Sequence, residues 1–168
     1  LRVLGRDGNT LSPVIRSAWD DGNLQTMTKN SPAKSTGSHV SIIGHITADE
    51  LRRYLTRTEA SNGFANRFLW VCVRRSKCLP EGGSLRQDDL TTLTDQLAEA
   101  MESARVVERM ERDETTRQLW CAVYPELSKA APGLFGAVTS RSEAQTMRLA
   151  CLYALLDQSV MVRRPHLE

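Results

Sequence analysis

At 168 residues, 40% apolar and 25% charged, the chain fits one domain or one domain with a small appendage, with material enough for a core and no compositional case for disorder. A net charge of +2 sets up no strong global field, so any nucleic-acid contact must come from local basic patches. No apolar run approaches the roughly 20 residues of a membrane span, residues 1–8 hold no signal-peptide core, and Cys72, Cys78, Cys121 and Cys151, each in an apolar run and none in a C-x-x-C pair, read as reduced core thiols of a cytoplasmic protein.

Residues 1–7 read as the end of a helix with Gly8 as its C-cap, and Pro165 suits a helix start, so both ends read as cut from something longer. Leu11, Val14, Ile15, Ala18 and Trp19 recur with helical spacing between a cap at Asn9 or Thr10 and a stop at Asp20-Asp21-Gly22. Residues 24–28 allow a short strand, and residues 29–38 (KNSPAKSTGS) form a polar loop. Residues 40–46 (VSIIGHI) are β-branched and almost wholly apolar, as a buried parallel strand is. They lead into a helix with Thr47 and Glu50 as a capping box and Leu51, Tyr54 and Leu55 as its inner face. A polar connection, residues 58–66, precedes a second buried strand, residues 68–73 (FLWVCV). The crossover rule makes the two strands parallel neighbours joined by the helix.

The basic-to-glycine linker 74–84 (RRSKCLPEGGS) sets a boundary, giving an α/β part over 1–83 and a mainly helical part over 84–168. In the second part Leu90, Leu93, Leu97 and Met101 line one helix, and residues 105–110 read as a short strand. Asp113 caps a helix with Leu119, Trp120, Val123 and Tyr124 inside. Ser140 and Glu143 open a helix to Asp157 that is nearly all apolar after Arg148, and residues 160–162 form a last short strand. Leu97, Trp120 and Leu152 are expected in the core.

Ligands in open parallel sheets lie beyond the carboxyl ends of strands, where His45 and Thr47 would sit. The plainer alternative is that His45 packs and Thr47 merely caps. Arg67 follows the polar loop NGFAN (62–66) at the mouth of a strand, where a guanidinium is costly unless it meets water or an anion. In ring-shaped NTPases such an arginine reaches across the subunit interface to the transferring phosphoryl group; the alternative is an ion pair with Glu59. Arg141 and Arg148 lie on one face of the last long helix, as a phosphate-reaching lid or as a solvated stripe. Lys29 and Lys34, with Asn30 and Ser31, offer flexible cations and donors to a DNA backbone, or are simply solvated. There is no G-x-x-x-x-G-K-[ST], no G-x-S-x-G, and no metal-ligand spacing around His39, His45 or His166.

Taken together, SIIGHITADELRRYL (41–55), NGFANRFLWVCVRRSKCLPEGG (62–83) and TSRSEAQTMRLACLYALLD (139–157) resemble the helicase-like proteins of the YfjI-like domain-of-unknown-function family of phages, prophages and plasmids. The resemblance implies a P-loop core with Walker A and Walker B before Leu1, so that this chain would be α/β: a partial RecA-like P-loop NTPase parallel sheet followed by a mainly helical C-terminal subdomain. Asn66-Arg67-Phe68 is similar to the Ser-Arg-Phe arginine-finger motif of ring helicases related to minichromosome maintenance proteins. Residues 40–46 are similar to their sensor-one strand, with His45 or Thr47 where Asn is usual, and Arg141 matches the place of their sensor-two arginine. The resemblance thus implies a helicase-like ATPase of mobile-element replication. Arg67 would act in trans on a neighbour's γ-phosphate, His45 or Thr47 would sense it or position water in cis, and Arg141 and Arg148 would serve a lid. ATP and Mg²⁺ belong to the full-length protein, with neither expected on this chain. Single-stranded DNA and further copies in a ring are the implied partners, with no membrane. The alternative is a non-enzymatic DNA-binding or assembly module, or a degenerate prophage remnant.

Overall fold

The apolar repeat at 11, 14, 15, 18 and 19 folds as α1 (Leu11–Asp20). The helix stops where Gly22 takes φ +70° and the N–H groups of Asp21 and Gly22 both reach the Ser17 carbonyl, at 3.0 and 2.9 Å. A side chain at position 22 would put its Cβ 2.6 Å from the Ser38 carbonyl oxygen, so this turn requires glycine for space as well as for its backbone. The computed structural model describes Leu1, Gly8 and residues 10–26 and 32–168; the helix end expected over 1–7 and the loop residues Lys29, Asn30 and Ser31 therefore lie outside the described residues.

Two compact units interleave along the chain: Leu1–Leu69 with Ala130–Arg141, and Trp70–Lys129 with Ser142–Glu168. The break falls after Leu69, ahead of the linker, and a segment near residue 135 returns to the first unit. In that unit, α1 is followed by an antiparallel pair, β1 (Leu24–Thr26) and β2 (Ala33–Ser35), in the register Leu24↔Ser35. β2 lies inside the stretch expected to be a polar loop. Then come α2 (Ala48–Tyr54), α3 (Arg57–Ser61), a 3-10 turn (Ala65–Arg67) and α6 (Gly133–Thr139). The expected cap at Thr47 is present, its Oγ1 accepting the Glu50 N–H at 3.2 Å; Thr56 caps α3 the same way through Glu59, at 3.3 Å. The core is small: Ala60, Phe64 and Ala65 are buried, and the Phe64 and Phe68 rings stand 5.1 Å apart.

The second unit holds α4 (Gln87–Ala104), β3 (Glu111–Arg112), α5 (Glu114–Leu127), α7 (Ser142–Leu156), β4 (Met161–Val162) and α8 (Arg164–Leu167). β3 and β4 pair in parallel, Glu111 beside Met161 and Arg112 beside Val162. The final strand lies where it was expected, whereas β3 comes just after residues 105–110. Ala150, Ala154 and Val162 are buried, with Met110, Cys151 and Leu167 packed on them. Small side chains one turn apart on α7 let β4 and α8 approach its backbone closely. Asp113 caps α5, taking the Thr116 N–H at 2.8 Å, and hydrogen bonds from Thr116 and Thr115 hold its carboxyl below the ordinary carboxylate range. The buried His166 ring accepts the Arg163 N–H on Nδ1 at 3.0 Å, which caps α8, and sets Nε2 3.2 Å from Asp157.

The described residues are thus mainly helical, with two small two-stranded sheets. The expected parallel sheet of residues 40–46 and 68–73 is corrected: neither segment is a strand, and apart from the half-buried Phe68 and Trp70 their apolar side chains are exposed, Ile43 at 93%. β-branched composition favours a strand only when a neighbouring strand takes up its backbone groups, and among the described residues neither segment has one. The face expected to bury α4 is also outside. Leu90, Leu93, Leu97 and Met101 are exposed while Ala100 is buried, and Leu152 on α7 is exposed, with Trp120 half-buried. All four cysteines are free. Cys72, Cys78 and Cys121 are exposed rather than core, and only Cys151 is half-buried, where burial raises its thiol pKa against a smaller opposing pull from Arg112.

Candidate functional site

Three residues four apart on α1 make polar bonds to the segment that carries Arg67. Buried Ser12 donates to Glu59 Oε2 at 2.6 Å, Arg16 Nη1 donates to the Asn62 carbonyl at 3.1 Å, and Asp20 receives Arg67. Helical periodicity stacks positions 12, 16 and 20 on one side of α1, and the ladder lays residues 59–67 along that side. The loop is drawn tight from within as well, since Asn62 Oδ1 accepts the Phe64 N–H at 2.9 Å.

The Arg67 side chain is only 7% exposed. A guanidinium so buried needs acceptors. Nη2 donates to both carboxylate oxygens of Asp20, at 2.9 and 2.7 Å, and Nη1 donates to the Gly63 carbonyl. Gly63 has φ +85°, which disfavours any side chain, and a Cβ there would stand 2.7 Å from Nη1 and have to displace the Arg67 guanidinium. Nε is buried with no hydrogen-bond partner.

Arg141, the residue after the end of α6 and Ser140, arrives at the same place. Its Nη1 lies 3.9 Å from Asp20 Oδ1. Both guanidinium groups flank the Trp19 indole, Arg141 at 4.6 Å and Arg67 at 5.6 Å from the ring centroid. Asn66 Nδ2 donates to Ser140 Oγ at 2.7 Å and fixes the two segments side by side. Ser140 also donates to the Ala137 carbonyl at 3.2 Å, and α7 itself begins at Ser142. The result is two cations and one aromatic face around a single carboxylate, an arrangement suited to holding an oxyanion.

The other candidates lie elsewhere. Arg148 is an exposed residue of α7 in the second unit, beside a shallow apolar groove formed with Met147, Cys151, Leu152 and Leu155. His45 is exposed in an irregular segment, and Thr47 spends its oxygen on the α2 cap; neither shares a hydrogen bond or ion pair with Arg67 or Arg141. Lys34 is exposed on β2, and Lys29 lies outside the described residues. Glu59 does not pair with Arg67 but with Ser12. Trp19 and Asp20 were not foreseen as site residues. The four-residue spacing of Ser12, Arg16 and Asp20 is the signal that could have found the acid. Among the described residues no cluster of three His, Cys, Asp or Glu side chains could hold a metal. Comparison with known protein families, with curated proteins and with solved structures finds no match.

Proposed function

We propose that this chain supplies the arginine half of an ATP site in a helicase-like ring ATPase acting in the replication of a phage, plasmid or other mobile element. The observation that carries the proposal is the convergence of Arg67 and Arg141, distant in sequence, on one carboxylate and one indole. A phosphoryl group fits these residues. The buried Nε of Arg67 lacks an acceptor, and an oxyanion carries acceptors to spare. ATP supplies that group when bound. Arg67 places positive charge against it from a neighbouring subunit, and Arg141 adds a second cation. His45 and Thr47 serve the sensor position of the chain's own site. Mg²⁺ is held by the Walker motifs, which the 168 residues do not contain, so the chain alone turns over no ATP. Lys34 and Lys29 contact the backbone of single-stranded DNA, and Arg148 belongs to the lid.

A second reading, a non-enzymatic assembly module, is favoured by the depth of Arg67, which is already paired within its own unit. In the assembled ATPase, Arg67→Ala separates the two. As an arginine finger it lowers kcat by about 10³-fold or more with nucleotide affinity nearly unchanged, because the charge it meets develops mainly in the transition state. Turnover that falls only in step with unfolding makes Arg67 a scaffold residue and removes the ATPase role.

A further inference from the structure

Asp20 occupies the last turn of α1, where unsatisfied carbonyls leave partial negative charge and an acid is disfavoured. It is held there by arginines, and the holding is uneven. Arg67 is 7% exposed and Asp20 47%, while Arg141 is 33% exposed. The carboxylate can swing into water at little cost; the Arg67 guanidinium cannot. Nor does Asp20 saturate what it touches. The side-on edge of a guanidinium presents two parallel N–H groups, Nε and Nη2, matched to two oxygens of one anion. Both Asp20 oxygens crowd onto Nη2, and Nε is left buried without an acceptor. Arg141 stands 3.9 Å away, beyond hydrogen-bond length. The nearby Asp21 is not a competitor, since its carboxylate is turned to the Asn23 N–H at 2.8 Å.

We propose that Asp20 is a displaceable internal counter-anion: it occupies an oxyanion site formed by Arg67, Arg141 and the Trp19 face, and an incoming phosphate-class anion binds by expelling it. Identifying that anion as the polyphosphate of a nucleotide rests on the function proposed above; the displacement itself does not. A tetrahedral oxyanion takes the full side-on edge of Arg67 and draws in Arg141. Asp20 thereby sets the threshold for occupation. It lowers the apparent affinity by the fraction of molecules in which the site is already filled from within, and it keeps the arginine pair from capturing stray anions.

The test uses the 168-residue protein and inorganic tripolyphosphate, followed by calorimetry. Asp20→Asn retains size and one of the two acceptor oxygens but removes the competing charge, and is expected to bind tripolyphosphate about tenfold or more tighter than wild type. Adding Arg67→Gln to Asp20→Asn is expected to abolish the gain. Equal or weaker binding by Asp20→Asn overturns the proposal, as does a gain that survives Arg67→Gln. Should Asp20→Asn fail to fold, the wild type decides: saturating tripolyphosphate moves the Asp20 carboxyl ¹³C and Trp19 indole resonances together if the carboxylate is expelled, and a still Asp20 signal overturns it. The two proposals fail separately. Tighter binding in Asp20→Asn with full turnover in Arg67→Ala keeps the counter-anion and removes the arginine finger; the reverse pair of results does the opposite.

Discussion

Residues 62–68 and residues 40–46 belong to the same unit, and neither contains an α-helix or a strand. In the first, the Asn62 carbonyl and side-chain oxygen, the Gly63 carbonyl and the Asn66 Nδ2 all have partners, and Phe64 and Ala65 are buried. In the second, among the described residues, no backbone group between 40 and 46 bonds to another part of the chain, and the isoleucines face water. The first closes on a ladder that a single helix supplies. The second has the composition of a strand but lacks the neighbour that makes a strand. Irregular backbone is fixed by satisfying its polar groups, and apolar composition does not substitute for that.

The contrast can be broken by substitution. Gly63→Ala strains a φ of +85° and drives a Cβ into the Arg67 guanidinium, so it is expected to cost about 2 kcal/mol in urea denaturation. A neutral result would mean that the Gly63 turn does not hold the arginine. Ser12→Ala removes the 2.6 Å bond to Glu59 from a buried position and should cost about 1 kcal/mol, with Glu59→Gln nearly additive to nothing further if the pair is the whole effect. Independent, fully additive losses would dissolve the first rung of the ladder. Ile43→Lys, at a side chain 93% exposed, should change stability by no more than about 0.5 kcal/mol. A loss of several times that would show residues 40–46 buried against something, and would erase the comparison.

Features set within one turn of chain were legible in advance. The α1 repeat, the Thr47 and Asp113 caps, the Gly22 stop and the strand near 161 each follow from a few adjacent residues. Arg67 is legible from its own surroundings as an unusual arginine and Arg141 only through the resemblance, and nothing in the sequence shows that the two meet. Their shared carboxylate lies 47 residues before Arg67, and no local pattern names a partner at that range. The acid was read as a helix stop, which it also is. The α4 stripe of Leu90, Leu93, Leu97 and Met101 is helical, as its spacing predicts, but exposed, because spacing fixes which residues share a face and not what covers it. The strands expected at 40–46 and 68–73 failed for the same reason.

Whether Arg67 acts on a phosphoryl group bound by another subunit is decided by complementation in the proposed ATPase assembly. Arg67→Ala subunits are mixed with subunits whose phosphate-binding loop is disabled, and ATP turnover is followed against the mixing ratio. Each subunit lacks what the other retains, so two inactive preparations are expected to regain partial activity when mixed, with a maximum at an intermediate ratio. Turnover that stays at background at every ratio, with both variants folded and assembled, would contradict it.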